Sequence, residues 1–181
     1  MAILVVEDGT GLTGANSYIT AAEALAILDV KPTQLAAFSA LSVQEQDDYL
    51  IWASSWLDDY MDWKGYKTVA TSGLRWPRCG VYDRDSILID ENTIPEQLKQ
   101  AVAETATWLI NSSAANSGGE ASNLPEGIKR VKADVVEVEF FDGGSADSQS
   151  GSDLLPVNIR FLLRSLGAPI VGRKRFVPAV R

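Results

Sequence analysis

Residues 5–20 read VVEDGTGLTGANSYIT, and the fold turns on whether the GTGLTG within it is a dinucleotide loop. Such a loop needs a strand, a glycine turn, and a helix beginning at the second glycine. Free backbone N–H groups and the helix dipole then meet the pyrophosphate. Residues 2–6, AILVV, supply a strand-like run, but the helix signal comes late. Thr20-Ala21-Ala22-Glu23 is a capping box that puts the N-cap at Thr20, past Asn16-Ser17-Tyr18. Glu7 and Asp8 stand directly before the glycines and repel phosphate. Helix, proline and helix come next along the chain, with no βαβ unit. The segment therefore reads as a turn-rich connector, with Gly9, Gly11 and Gly14 serving geometry.

Working outward, the first helix is expected over 21–29, stopped by Pro32. A second capping box, Ser42-Val43-Gln44-Glu45, opens a helix running to Asp62, with Leu50, Ala53, Trp56, Leu57, Tyr60 and Met61 on its buried face. Residues 63–93 read as irregular. Ile94-Pro95 starts a third helix, whose apolar stripe is Leu98, Ala101, Val102, Thr105, Trp108 and Leu109. This helix frays into the polar linker NSSAANSGGEASN. In residues 128–141, Val136, Val138 and Phe140 alternate with Glu137 and Glu139, the period of a half-exposed strand. After the polar loop 142–152, a last helix carries Ile159, Leu162, Leu163 and Leu166, with Gly167 expected at its C′ position. The fold class is mainly α: a small helical bundle with a short β element at 128–141 and extended N- and C-terminal segments. The expected division is a helical domain with the β element over 1–166 and an extended basic C-terminal arm over 167–181.

Composition narrows the function. The 181 residues contain no histidine, which removes the commonest general base and metal ligand and excludes Ser-His and Cys-His catalysis. Cys79 is the single cysteine, so neither a disulfide framework nor a multi-cysteine zinc site can form within the chain. No apolar run reaches the roughly 18 residues that a membrane span needs. The N-terminus lacks the basic and apolar regions of a signal peptide, so the sequon at Asn111 carries no secretory meaning. No enzyme activity and no cofactor are expected.

Charge is unevenly spread. Residues 1–153 hold 10 Lys and Arg against all 24 Asp and Glu, while residues 154–181 hold six cations and no acid. An acidic body with a basic tail points the tail toward an acidic partner or nucleic acid. Asp58, Asp59 and Asp62 sit at the end of the second predicted helix, where acids oppose the dipole. They read as a patch that takes a basic partner, such as an arginine of a neighbouring subunit. Asp83, Asp85, Asp90 and Glu91 break the calcium-loop pattern and read as solvated. The aromatics Trp52, Trp56, Trp63, Trp76 and Trp108, with Tyr49, Tyr60 and Tyr66, lie mostly at helical spacing beside aspartates and read mainly as core. Only Phe161 beside Arg160 and Phe176 beside Arg175 combine a ring with a cation in the manner of a single-strand binder.

Residues 5–20 and GLRWPRCGVYDRDSILIDENTIPEQLKQAVAETATWL at 73–109 together resemble a family of tailed-bacteriophage proteins. Its pattern runs EDGTG…ANSY, then L-x-W-P-R-x-G, an aspartate-rich turn and I-P-x-x-[VL]-K-x-A, with a late P-x-x-[IV]…LL helix matched by residues 156–163. Members are labelled DnaT-like single-stranded-DNA-binding proteins and are similar in layout to head–tail adaptors, also called connector or head-completion proteins. The match makes Trp76, Pro77, Arg78, Ile94 and Pro95 structural motif residues. The resemblance implies a virion neck protein assembled in the host cytoplasm, in a closed ring of about twelve copies beneath the portal. Its implied partners are the portal protein, neighbouring copies of itself and a downstream neck or tail-completion protein. DNA would pass through the channel without specific binding, and no membrane is involved. The arm that would dock on the portal comprises Ile170, Val171, Arg173, Lys174, Arg175, Phe176 and Val177. The alternative implied by the family label is a single-stranded-DNA-binding or replication accessory protein.

Overall fold

A computed structural model describes residues 3–117, 130–133, 136–139 and 155–170. The described elements run α1 (Ala21–Leu28), α2 (Pro32–Ser39), α3 (Val43–Tyr60), β1 (Met61–Trp63), β2 (Tyr66–Lys67), β3 (Arg78–Cys79), α4 (Glu96–Ser117), β4 (Arg130–Ala133), β5 (Val136–Glu139), α5 (Val157–Leu163) and β6 (Gly167–Pro169). This is the small, mainly helical bundle with short strands that the sequence led us to expect.

Both capping boxes form. The Thr20 hydroxyl accepts from the Glu23 N–H at 3.1 Å, and the Glu23 carboxylate takes the Thr20 N–H at 2.8 Å. Ser42 and Glu45 make the same reciprocal pair at the start of α3. Pro32 does more than stop α1: it opens α2 in the first turn, where its missing N–H costs nothing. That helix was absent from the sequence reading.

The centre of the bundle is α4, which packs against α1, α2, α3 and α5. Residues 101–107 are all buried. An amphipathic helix would show one buried stripe, so over 101–107 the single stripe expected here is corrected to a segment enclosed on every side. Ala101, Ala103 and Ala106 permit this, because their short side chains let neighbouring helices approach. The helix also continues to Ser117, through residues read as the start of a linker.

Helix α3 ends at Tyr60, two residues early, and passes straight into β1, since Met61 already has extended dihedrals. Strand β1 pairs antiparallel with β6, Asp62 facing Ala168. The ladder extends at both ends, Lys64 N–H to the Leu166 carbonyl at 2.9 Å and Ile170 N–H to the Tyr60 carbonyl at 2.8 Å. Gly167 is therefore not a helix C′ residue. It lies in β6, where a Cβ would stand 2.8 Å from the Asp62 carbonyl oxygen, and α5 is capped at Arg164. The first three residues assigned to the arm are thus a strand of the body's sheet. The β element of 128–141 appears as two paired strands, β4 and β5, with Val131 opposite Val138.

Candidate functional site

The opening loop wraps around its own carboxylate. Glu7 is 3% exposed. Its Oε1 accepts from the Gly9 N–H at 3.0 Å and the Gly11 N–H at 2.8 Å, and its Oε2 from the Leu12 N–H at 2.9 Å. Gly9 and Gly11 have φ of +99° and +77°, a region that favours glycine. The backbone donors that a phosphate would need are already occupied by a residue two to five positions away. The N-terminal segment then closes back on Ser17, whose carbonyl accepts from Glu7 N–H at 2.9 Å.

Asp58 leaves the surface patch in which its sequence position seemed to put it. It is buried and accepts from the Tyr18 hydroxyl at 2.7 Å, Trp63 Nε1 at 3.0 Å and the Arg75 N–H at 2.9 Å. The Tyr18 oxygen in turn accepts from the Arg75 and Trp76 N–H groups, both at 3.2 Å. One carboxylate thus ties α3 to the opening loop, β1 and the WPR segment. Burial pushes the Asp58 pKa up, against the lowering effect of Tyr18, Arg75 and Trp63. Burial, then the neighbouring Asp58 charge, raises the Tyr18 hydroxyl well above its ordinary value. Asp59 and Asp62 remain exposed. They line a hollow of about 180 Å³ together with Asp58 and Ile170.

The predicted motif residues Trp76, Pro77 and Arg78 lead into β3, and Ile94 and Pro95 precede α4. Trp76 is fully buried, precedes Pro77 through a cis peptide bond, and meets the Trp63 ring edge-on at 6.0 Å. Arg78 donates to the carbonyls of Lys64 (2.6 Å), Arg75 (3.2 Å), Trp63 (3.3 Å) and Gly65 (2.7 Å). Its fork satisfies a turn that no regular element could. Ile94 and Pro95 are buried at the start of α4. Most of the aromatics pack as read, but Trp52 and Tyr66 are exposed.

Glu104, which sequence reasoning missed, sits on the enclosed stretch of α4 at 2% exposure. It pairs with Lys31 and accepts from Gln100 at 2.8 Å and Asn158 at 2.5 Å, joining α4 to the α1–α2 junction and to α5. Every buried carboxylate among the described residues therefore has protein donors. No cluster of three or more Cys, Asp and Glu among these residues could hold a metal ion. No described helix is long and apolar enough to cross a membrane.

What the fold leaves uncovered is apolar surface. A groove of about 530 Å³ runs between α5 and β6, with Val157, Phe161 and Pro169 in its walls and Lys64, Arg160 and Arg164 around them. Helix α5 turns Ile159 and Leu163 inward, and Val157 and Phe161 outward. This second i, i+4 stripe was visible in the sequence as apolar residues off the core face. Of the predicted arm, Ile170 is exposed beside Asp59 and Asp62; Val171, Arg173, Lys174, Arg175, Phe176 and Val177 lie outside the described residues.

No curated protein and no solved structure matches the chain. A sequence model of the family described as "Putative DnaT-like ssDNA binding protein" matches residues 2–177, nearly the whole chain, and the protein belongs to that family.

Proposed function

We propose that the protein is a non-enzymatic structural adaptor of a tailed phage, forming a ring beneath the portal that extends the DNA channel and connects it to the neck and tail. The observation that carries this reading is the division of labour among its side chains. The buried carboxylates Glu7, Asp58 and Glu104 are all engaged by internal donors, so none is left for chemistry. Apolar side chains such as Phe161, Ile87 and Leu88 are instead presented to solvent, which suits protein contact. The net acidic charge of residues 1–153 gives DNA phosphates little overall attraction, which suits a channel lining. In this reading Asp59, exposed in the last turn of α3, would meet a cation of a neighbouring copy. The basic residues of 171–177 follow Ile170 as the arm for the portal.

The test is the copy number of the protein in DNA-filled particles of its source phage, by quantitative mass spectrometry against the portal subunit. A ratio near one-to-one is expected. Absence from particles would overturn the adaptor reading.

A second reading, single-strand DNA binding, is favoured by one feature. Phe161 is exposed in a groove whose charged lining residues, Lys64, Arg160 and Arg164, are all basic. A ring among cations is the elementary unit of a base-stacking platform. If the protein is missing from particles, this groove becomes the place to look for it.

A further inference from the structure

The body carries a knob as well as a socket. Residues 81–89 form a tight reversal: Ile89 N–H reaches the Val81 carbonyl at 2.9 Å, and Tyr82 bridges Leu88. The Asp83 carboxylate fixes the tip by accepting from the Asp85 and Ile87 N–H groups at 2.9 and 2.8 Å. Ser86 takes a φ of +62° at the turn. The most prominent side chains of this organised turn are largely uncovered: Ile87 is 63% and Leu88 58% exposed. Asp85, Asp90 and Glu91 stand exposed around them.

The α5–β6 groove is complementary. Its walls are apolar, Phe161 is 55% exposed, and its charged lining residues are Lys64, Arg160 and Arg164, with no carboxylate. None of residues 85–91 lines it, so the turn leaves the groove of its own chain open. Knob and socket nevertheless adjoin: Asp83 and Arg84 at the base of the turn share a hollow of about 280 Å³ with Lys64 and Arg164 at the groove's rim. A protrusion and a matching recess side by side on one face are the arrangement that a two-fold axis satisfies twice. Strand addition is a poor alternative use of this edge. Ala168 faces Asp62 within the ladder, and Pro169 has no N–H to offer on the open side.

We infer that two copies of this chain pair about a two-fold axis, each seating the Ile87–Leu88 turn in the α5–β6 groove of the other. Asp85, Asp90 and Glu91 then face Lys64 and Arg164 across the rim. Burying both apolar surfaces in one contact would keep the free protein soluble before it meets other partners. This pairing does not depend on the adaptor reading, since it concerns the protein in solution.

The experiment uses the full-length chain in sedimentation analysis, with Leu88→Ser and Phe161→Ser as variants. Both positions are exposed, and thermal melts of each variant check that the fold is kept. A concentration-dependent dimer is expected, weakened about tenfold or more by either substitution, the loss expected when a leucine or phenylalanine contact is removed. Carbodiimide treatment of mixed light- and heavy-isotope protein should join Lys64 of one copy to Asp85, Asp90 or Glu91 of the other. A monomer at every accessible concentration would overturn the inference, as would a dimer insensitive to Leu88→Ser. A third overturning result is oligothymidylate binding that Phe161→Ser abolishes and Leu88→Ser leaves unchanged, because the groove would then belong to nucleic acid.

Discussion

Glu7 replaces, with the chain's own atoms, the anion that a glycine loop elsewhere would take from solution. Its carboxylate gathers three backbone donors within five residues, so removing it leaves buried N–H groups without an acceptor. Glu7→Ala is expected to lower stability by about 2–4 kcal/mol, read as a shift of the urea midpoint at constant slope. A shift below about 0.5 kcal/mol would mean that the loop holds its shape without the carboxylate. Asp58 offers a test with a definite sign. Burial raises its pKa in the folded protein above the ordinary 3.8. The folded state therefore binds the Asp58 proton more readily than the unfolded chain does. The corresponding stabilisation is full below the unfolded pKa and is lost as pH rises through the folded one. Asp58→Asn removes this titration. The stability advantage of the natural chain over the variant should accordingly grow as pH falls from neutrality toward 3.8 in parallel denaturation series. An advantage that shrinks instead would show that the Tyr18, Arg75 and Trp63 donors outweigh burial.

Elements were legible in the sequence where their signals are local. The capping boxes at Thr20 and Ser42 act over three residues, and both formed as read. Pro32 was legible as a stop but not as a start, because proline at a first turn and proline after a helix look alike until the next turn is seen. The enclosure of α4 was not legible: alanine and threonine are compatible with surface or core, and only packing by four helices decides between them. Strand β6 is three residues long and exists because β1 is there to pair with it. This pairing puts the start of the proposed arm after Ile170. A chain ending at Ile170 keeps the whole β1–β6 ladder and should melt with the full-length protein. One ending at Leu166 loses that ladder, and Tm should fall by several degrees, about 2–4 °C per kcal/mol for a domain of this size. Equal melting of the two truncations would show that β6 contributes nothing to the body. For any assembly assay of the arm, the chain ending at Ile170 is the informative one, since its body is intact.

At the scale of the molecule, the uneven charge and the uncovered apolar surfaces point the same way. The carboxylates of Glu7, Asp58 and Glu104 are buried under internal donors, while Asp59, Asp62 and those of Asp85, Asp90 and Glu91 are exposed. Among the described residues, the α5–β6 groove joins an apolar wall to a purely basic rim. Such a surface is suited to protein contact, as the proposed adaptor role would need. By itself the sequence determined the helical class, the two capped helix starts and the reading of GTGLTG as a turn rather than a phosphate loop. These rest on interactions between residues a few positions apart, where spacing is nearly geometry. Only the tertiary structure decided that Asp58 is buried against Tyr18, that Glu104 joins Lys31 to Asn158, and that Gly167 belongs to a strand. Those partners stand 40, 73 and 54 positions apart for Tyr18–Asp58, Lys31–Glu104 and Asn158–Glu104. Over such separations a carboxylate in the sequence looks the same whether it ends in water or in the core, and the choice is made by which backbone donors the folded chain leaves in need of it.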